Sequence, residues 1–280
     1  MEVSLRSSDG SVDGMIERNS HVVEILNHGW RARLDRRWEQ TRRPNALMTQ
    51  PDKWRAWHAV ALNNLSSWPP GLLLDLASDE GTVPFHADRL GHRVICSDRD
   101  LTRLGFRPAI RLDLNVPLPF PDGTFDYACF LEGIEHLERP FDALSEICRV
   151  LRKGGKLILS TPNILNLRSR WNFLTRGYHL LFGRIDPLCR GSAAHLIPLS
   201  YRELDYFLRS LGFESTVVET DRPRRKPWLF HQFLRLLDAN LSDSKSPYRG
   251  VTDRTVLLEG RSLILVAAKR GAPGAARAPG

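Results

Sequence analysis

Residues Leu118–Asn163 read LPFPDGTFDYACFLEGIEHLERPFDALSEICRVLRKGGKLILSTPN, which is the most informative stretch of this chain. Phe125–Leu131 is a short apolar run of the kind that forms a buried parallel strand. Arg139–Leu151 carries apolar residues at helical spacing. A double glycine then turns the chain into a second apolar run, Lys156–Ser160. This strand–helix–strand unit predicts a parallel sheet with a helix crossing over it.

Three further apolar runs precede this unit and predict three more strands, at Gly71–Leu76, Arg93–Ser97 and Ile110–Leu114. A helix pattern over Thr82–Leu90 separates the first two runs, with a proline in its first turn, where proline is tolerated. Strands that alternate with helices predict an α/β fold, here a Rossmann-like, doubly wound and mainly parallel sheet with helices on both faces. In such sheets, ligands bind beyond the carboxyl ends of the strands.

Beyond the unit, residues 163–198 show little regular pattern. Ser200 and Glu203 have the spacing of a capping box, which predicts a helix that begins there and ends at a following glycine. Strand-like runs follow at Glu214–Thr220 and Ser262–Ala268. These elements extend the predicted α/β domain almost to the end of the chain.

The pattern also predicts how the chain is divided. An apolar stripe near the N-terminus includes Trp54, Trp57 and Trp68, which either pack on the main domain or form a lid over a bound cofactor. The predicted segments are a disordered N-terminus (1–15), a helical extension (16–68), the α/β domain (69–270) with insertions at 163–199 and 221–255, and a disordered tail (271–280).

Acidic residues stand at the ends of three predicted strands. Asp75 opens the loop DLASDEG, which ends at Gly81. Asp98 ends the second strand, 17 positions beyond Gly81, close to the spacing of about 20 residues in nucleoside-binding folds. A carboxylate there can accept hydrogen bonds from both ribose hydroxyls. Asp113 lies at the end of the third strand. Each aspartate alone is also compatible with a solvated strand end, but their shared placement favours a nucleoside site.

The quoted stretch resembles the corresponding region of class I S-adenosylmethionine-dependent methyltransferases, in particular the broad group with a type 11 domain that includes ubiquinone-biosynthesis and sugar-modifying enzymes. The proline-bracketed turn, the Phe125-Asp126 pair, the Glu135-His136 pair and the RVLRKGG turn follow in the order of that family. The resemblance covers about residues 71–220 and the last strand. It implies a methyltransferase that uses S-adenosyl-L-methionine.

The resemblance also implies which residues bind the cofactor. The loop after the first strand is similar to the family motif D-x-G-x-G-x-G, in which Asp75 and Gly81 match while Ala77 and Asp79 replace glycines. An acidic residue at the position of Asp113 commonly accepts a hydrogen bond from the adenine amino group. The implied cofactor-binding set is Asp75, Ala77, Asp79, Gly81, Asp98, Asp113, Leu114, Leu131 and Glu132.

A catalytic base is expected after the fourth strand, near the transferred methyl group. His136 is the first candidate, since an imidazole accepts protons at neutral pH, although it can also pack structurally or cap the next helix. Glu132 and Glu135 would then touch the cofactor or orient the histidine. His195 and Tyr201 are secondary candidates, because the insertion before them can fold over the pocket. No metal ligand cluster is visible in the sequence.

Composition limits the class of protein. The chain has 280 residues and a formal charge of +8. No apolar run approaches the roughly 20 residues that span a membrane, and Met1–Asp13 lacks the apolar core of a signal peptide. Its four cysteines form no CxxC pair, so we expect buried free thiols in a cytoplasmic protein.

The acceptor is expected to be a small molecule, a natural product or a glycan. The stretch NILNLRSRWNFLTRGYHLLF (163–182), together with His195–Pro198, resembles a subgroup often associated with glycan or polysaccharide biosynthesis. The two insertions are expected to build the acceptor pocket. A basic cluster beside an apolar helix pattern can bind a phosphorylated or lipid-linked glycan or contact an anionic membrane. A cap helix that packs on the domain with solvated arginines is the more common arrangement. The residues of that cluster are Arg222, Arg224, Arg225 and Lys226.

Three other functions fit part of the pattern. A nicotinamide-dependent oxidoreductase needs a glycine loop that approaches a pyrophosphate, and Asp79 would repel its phosphates. A methyltransferase of nucleic-acid bases usually has a Pro-Pro-aromatic motif after the fourth strand, where this chain has Leu131–Ile134, and no nucleic-acid partner is expected. A catalytically inactive cofactor-binding protein or partner subunit remains the main alternative, because the glycine loop is altered.

Overall fold

The structure is a computed structural model that describes residues 55–106, 108–183, 194–221 and 260–270. Within these residues, seven strands form one sheet in the order β3-β2-β1-β4-β5-β7-β6. The strands are β1 (Leu72–Leu76), β2 (Arg93–Asp98), β3 (Ala109–Arg111), β4 (Phe125–Leu131), β5 (Leu151–Pro162), β6 (Phe213–Thr220) and β7 (Ser262–Lys269). The helices are α1 (Ala56–Ser66), α2 (Thr82–Arg89), α3 (Pro140–Val150), α4 (Leu167–Arg176) and α5 (Tyr201–Ser210), with a 3-10 turn at Ile134–His136.

Most of the sheet is parallel. Strands β3, β2, β1, β4 and β5 pair in parallel, whereas β7 runs antiparallel to both of its neighbours, β5 and β6. The chain proceeds outward from β1 through β2 to β3, then returns to the other side of β1 as β4. Strands β1 and β4 therefore flank the point where the strand order reverses, and ligands bind at such a point in open α/β sheets.

Helices cover both faces of the sheet, as predicted. Leu74 of β1 packs in a core with Leu144 of α3 and Leu204 of α5. Its neighbour Leu73 points to the opposite face, into a second core with Leu65 of α1 and Phe85 of α2. Every residue of β1 is buried, as expected for a parallel strand covered on both sides. The Rossmann-like fold predicted from the sequence is confirmed.

The third and fifth strands differ from their predicted bounds. Strand β3 ends at Arg111, so the prediction that it extends to Leu114 was wrong, and Asp113 lies in the loop beyond it. Strand β5 begins at Leu151 rather than Lys156. Its pairing with β4 shifts between Phe125 and Tyr127, because the double glycine forms a bulge inside the strand instead of a turn before it.

Helix α4 lies in a segment for which no regular structure was predicted. Its only buried residues are Ser169 and Asn172, so it has no apolar face that a pattern search would find. Its ends are defined instead by caps. The Asn166 side chain accepts a hydrogen bond from the Ser169 N–H, and Gly177 adopts a left-handed conformation at the C-terminus.

Several predictions concern residues outside the described ranges. These are the disorder predicted at 1–15 and 271–280, the helical extension before residue 55, Trp54, Cys189, and the basic cluster at Arg222, Arg224, Arg225 and Lys226. Cys96, Cys129 and Cys148 are buried thiols that form no disulfide, as expected. None of the helices in the described residues has both the length and the apolar character needed to cross a membrane.

Candidate active site

A cavity of about 660 Å³ lies at the carboxyl ends of β1, β2 and β4, which is a size typical of small-molecule sites. The residues predicted to bind a cofactor line this cavity with one exception. The exception is Gly81, which does not line the cavity but caps the N-terminus of α2 with a φ of 89°. The lining residues from the predicted set are Asp75, Ala77, Asp79, Asp98, Asp113, Leu114, Leu131 and Glu132.

The loop after β1 keeps the backbone shape of a glycine loop without the glycines. Ala77 and Asp79 replace the two glycines, and both have positive φ values, 54° and 47°. Side chains other than glycine adopt this conformation at a cost of roughly 1 kcal/mol or more. The Asp79 carboxylate forms an exposed ion pair with Arg103 at 3.0 Å. The altered loop therefore holds the shape of the motif under strain.

Asp98 is oriented by two backbone donors. Its Oδ2 accepts a hydrogen bond from the Asp79 N–H, and its Oδ1 accepts one from the Asp100 N–H, both at 3.0 Å. A carboxylate oxygen can accept more than one hydrogen bond. Both oxygens therefore retain acceptor capacity, and Asp98 lines the cavity.

Asp75, by contrast, is buried below the loop and only 3% exposed. Burial is the main cause that raises the pKa of this carboxyl to about 7, and the nearby Asp98 charge raises it further, against hydrogen bonds from Ser78 and Cys129. Asp75 is therefore substantially protonated near neutral pH. Its role is to shape the base of the loop, together with Ser78, whose hydroxyl donates to the Asp75 carbonyl.

Asn115 fixes Asp113 and was not singled out from the sequence. The Asp113 Oδ1 accepts hydrogen bonds from the backbone N–H and the side-chain amide of Asn115, at 3.0 and 3.1 Å. The Asn115 Oδ1 accepts in turn from the Glu138 N–H at 2.9 Å. The short D-L-N spacing is a local signal of such a turn, but the bond to Glu138 depends on the tertiary fold.

The loop after β4 touches the loop after β1. Glu132 has a φ of 47°, and its carboxylate accepts a hydrogen bond from the Ser160 hydroxyl at 2.8 Å. Burial raises the pKa of Glu132 to about 7. A Cβ at Gly133 would lie 2.5 Å from the Phe130 ring and 3.0 Å from the Ala77 Cβ. Gly133 is thus required where the two loops approach each other.

His136 lines the same cavity. Its Nδ1 lies 2.9 Å from the carbonyl oxygen of Ala194. Because a carbonyl only accepts hydrogen bonds, Nδ1 must donate, and the lone pair of the neutral ring is therefore on Nε2. The His195 ring meets the His136 ring edge-on, with centroids 4.7 Å apart. The structure thus places the first and second candidate bases side by side, although His195 does not line the cavity.

Glu135 precedes His136 and is completely buried. Burial, followed by the charge of Glu132, raises the pKa of Glu135 to about 8. Its backbone carbonyl accepts hydrogen bonds from the N–H groups of Leu196 and Ile197, at 2.8 and 3.2 Å. These bonds hold the end of the first insertion against the loop after β4.

Tyr201 is not brought to the cavity. It is 2% exposed, belongs to the hydrophobic core and does not line the cavity. The structure therefore gives its hydroxyl no route to a substrate bound there. Tyr201 is the first residue of α5, because the capping box at Ser200 fixes where this helix begins. At that position its side chain lies on the buried face of the helix.

The cavity wall also includes residues that sequence reasoning did not assign. Trp57 and His58 of α1 and Arg261 before β7 all line it. Burial lowers the pKa of His58 to about 4, so this ring is neutral. The tryptophan stripe predicted that this helix packs on the main domain or covers a bound cofactor, but it did not identify the residues that line the cavity. Arg261 had no local signal, since its position depends on the antiparallel pairing of β7 with β5.

Comparison with known proteins identifies the class of this domain. Residues 74–159 match the family model described as a methyltransferase domain. This segment contains the end of β1, all of β2 to β4 and most of β5, with the loops that follow β1, β2 and β4. Residues 74–159 are therefore similar to a methyltransferase domain. The predicted class and its cofactor, S-adenosyl-L-methionine, are confirmed.

Curated relatives of this methyltransferase domain are distant. A protein of Mycolicibacterium smegmatis named "Probable S-adenosylmethionine-dependent methyltransferase" is 34% identical over 60% of this chain and 62% of its own. A ubiquinone/menaquinone biosynthesis C-methyltransferase of Methylobacterium nodulans is 33% identical over 37% of this chain and 48% of its own. The chain spans about half the length of the curated relatives it matches, for example 47% of a demethylmenaquinone methyltransferase of Renibacterium salmoninarum.

Solved structures of methyltransferases are also similar. A SAM-dependent methyltransferase from Archaeoglobus fulgidus has 18% identity and a TM-score of 0.48, with 76% of this chain and 94% of that chain covered.

Proposed function

We propose that the protein transfers a methyl group from S-adenosyl-L-methionine to a hydroxyl group of a small-molecule or glycan acceptor. The observation that carries this proposal is the position of His136, whose Nε2 lone pair belongs to a ring that lines the cavity at the loop after β4. In the proposed reaction, the sulfonium–methyl bond breaks, the acceptor oxygen gains the methyl group and loses its proton, and S-adenosylhomocysteine leaves.

The residues of the cavity suit this cofactor. Asp98 is oriented to accept from the ribose hydroxyls, and Asp113 is held by Asn115 where it can accept from the adenine amino group. The cofactor has a positively charged sulfonium and ammonium group. The acidic side chains in the loops after β1, β2 and β4 outnumber the two arginines of the same part of the lining, Arg99 and Arg103. The acidic side chains are Asp79, Glu80, Asp98, Asp100 and Glu132.

His136 would accept the proton of the acceptor hydroxyl on Nε2. The bond from Nδ1 to the Ala194 carbonyl fixes the tautomer, and it also stabilises the imidazolium that forms. A positioned general base contributes typically 10²–10⁴-fold to a rate. Orientation of the acceptor toward the methyl group supplies the larger share of the acceleration.

Two other functions are compatible with the same site, which are methylation of a carbon atom and cofactor binding without activity. Relatives that carry the names of C-methyltransferases favour a carbon acceptor as the second candidate. The strained loop at Ala77 and Asp79 favours the alternative of a cofactor-binding protein without activity. A base at the position of His136 suits a hydroxyl acceptor, and identification of the methylated atom in the product separates it from a carbon acceptor, which must also lose a proton.

The acceptor is proposed to be lipid-linked, or to be reached at an anionic membrane. Helix α4 exposes three large apolar side chains, Trp171, Phe173 and Leu174, at 66%, 51% and 76%. Exposed arginines alternate with them along the same helix, at Arg168, Arg170 and Arg176. Apolar side chains beside basic ones are typical of a helix that lies at a membrane interface.

The experiment is methyl transfer from radiolabelled S-adenosylmethionine to a panel of glycan, phenol and quinol acceptors. We expect transfer by the wild-type protein and a loss of about 10²–10⁴-fold in kcat for His136→Ala, with unchanged affinity for S-adenosylhomocysteine. His179→Ala serves as the matched control, since this histidine does not line the cavity. Full activity of His136→Ala would remove the histidine from the proposed mechanism, and no transfer by wild type to any acceptor would favour the inactive alternative.

A further inference from the structure

Glu135, His136 and His195 form a compact cluster next to the cavity. One potential ligand atom of each side chain lies within 4.8 Å of the other two. The residues come from two places in the sequence, the 3-10 turn after β4 and the end of the first insertion. The fold alone brings them together, which is why no metal site was expected from the sequence.

Two buried atoms of this cluster have no hydrogen-bond partner within the described part of the chain. They are Oε1 of Glu135 and Nδ1 of His195. Glu135 is 0% exposed, so its oxygen cannot be compensated by bulk solvent. A buried polar atom without a partner costs about 1–3 kcal/mol. Two such atoms in one compact cluster point to a bound group that would satisfy both.

The surrounding hydrogen bonds orient two of the three side chains, those of Glu135 and His136. The Thr161 hydroxyl donates to Oε2 of Glu135 at 3.2 Å, which leaves Oε1 to face another group. The Ala194 carbonyl holds Nδ1 of His136, which leaves its Nε2 lone pair available. Metal-binding residues are characteristically held in this way, with the second atom of each ligand hydrogen-bonded to the protein.

We propose that Glu135, His136 and His195 bind a divalent transition-metal cation. Two imidazoles and one carboxylate suit Zn²⁺, Fe²⁺, Co²⁺ or Mn²⁺ better than Mg²⁺ or Ca²⁺, which prefer oxygen ligands. The cation would satisfy both unpartnered atoms at once and would compensate the buried acidic side chain.

The role of this cation rests on the proposed function. Because His136 also lines the cavity, a cation bound to its Nε2 would lie next to the place where the acceptor is proposed to bind. A bound divalent cation lowers the pKa of a coordinated hydroxyl group, so the acceptor would release its proton to water. Nε2 cannot bind the cation and accept a proton at once, so His136 would act as the general base only in the metal-free protein.

The test uses the full chain, stripped with EDTA and titrated with Co²⁺ alone, without cofactor or acceptor. We expect one Co²⁺ per chain, with a visible d–d absorption band and a higher Tm. Glu135→Gln and His195→Ala should each weaken binding at least about tenfold, whereas the control His179→Ala should bind as the wild type does.

Absence of the absorption band in the wild type, or wild-type Co²⁺ affinity in both Glu135→Gln and His195→Ala, would overturn the proposal. His195 lies in a segment without helix or strand, so we expect His195→Ala to fold. This variant therefore tests the site even if Glu135→Gln fails to fold. S-adenosylhomocysteine binding is measured separately. A protein that binds Co²⁺ but not S-adenosylhomocysteine would contradict the proposed function and leave the metal site standing.

Discussion

The backbone N–H of Asp79 donates a hydrogen bond to the carboxylate of Asp98 at 3.0 Å. This bond joins the loop after β1 to the tip of β2. Asp79 takes a left-handed conformation, with a φ of 47°, and this conformation directs its N–H toward Asp98. The residue that replaces a glycine therefore helps to orient the residue that would bind the ribose.

Replacement of Asp98 by alanine should weaken cofactor binding. Loss of charge-assisted hydrogen bonds to the ribose costs about 1.5–3 kcal/mol, which corresponds to roughly a tenfold to hundredfold increase in Kd for S-adenosylhomocysteine. Isothermal titration calorimetry measures this change. Asp142→Ala removes an exposed carboxylate on α3 outside the cavity and should leave the Kd unchanged. An Asp98→Ala protein that is folded and binds with wild-type affinity would refute the assignment.

Asp79→Gly should leave cofactor affinity unchanged or improve it. Glycine removes the strain of a positive φ and allows closer approach of a ligand. The substitution also loses the ion pair with Arg103, in which both side chains are 62% exposed, but exposed pairs contribute at most about 1 kcal/mol. Ala77→Gly, at a φ of 54°, is the parallel variant. A tenfold loss of affinity in Asp79→Gly would show that its carboxylate is a direct ligand.

The stability of the protein should depend on pH through Asp75. Its pKa is about 7 in the folded protein, against about 3.9 for an unfolded aspartate. The folded state therefore binds the proton more tightly, so this residue's contribution to stability is greatest below about pH 4 and declines as pH rises toward 7. Asp75→Asn removes the titration, and the difference in Tm between variant and wild type should grow in favour of the variant from pH 5 to pH 8. Parallel Tm profiles would contradict the raised pKa.

Membrane contact by α4 should require its exposed apolar side chains. The double variant Trp171→Ala/Leu174→Ala should bind anionic vesicles of phosphatidylglycerol and phosphatidylcholine several-fold more weakly than wild type in co-sedimentation. Tyr206→Ala, another aromatic residue that is 66% exposed on a different helix, is the control. If wild-type protein does not sediment with the vesicles at low or moderate salt, the membrane proposal is wrong.

The sequence was sufficient where local pattern determines structure. The strands β1 and β4 and the capping box at Ser200 were predicted close to their observed bounds, because apolar runs and caps are local signals. Asp98 and Asp113 could be placed near one edge of the sheet for the same reason. The contact of Asn115 with Glu138 and the meeting of His195 with His136 depend on long-range packing. Helix α4 was not predicted because it buries no apolar residue, so its sequence lacks the periodic apolar face by which helices are recognised.

The central claim is that the cavity between the loops after β1, β2 and β4 binds S-adenosylmethionine. Calorimetric titration of the full chain with S-adenosylhomocysteine, repeated in the presence of excess NADH, tests it most directly. We expect one S-adenosylhomocysteine per chain with an affinity that NADH does not change. Absence of S-adenosylhomocysteine binding, or its displacement by NADH, would contradict the account.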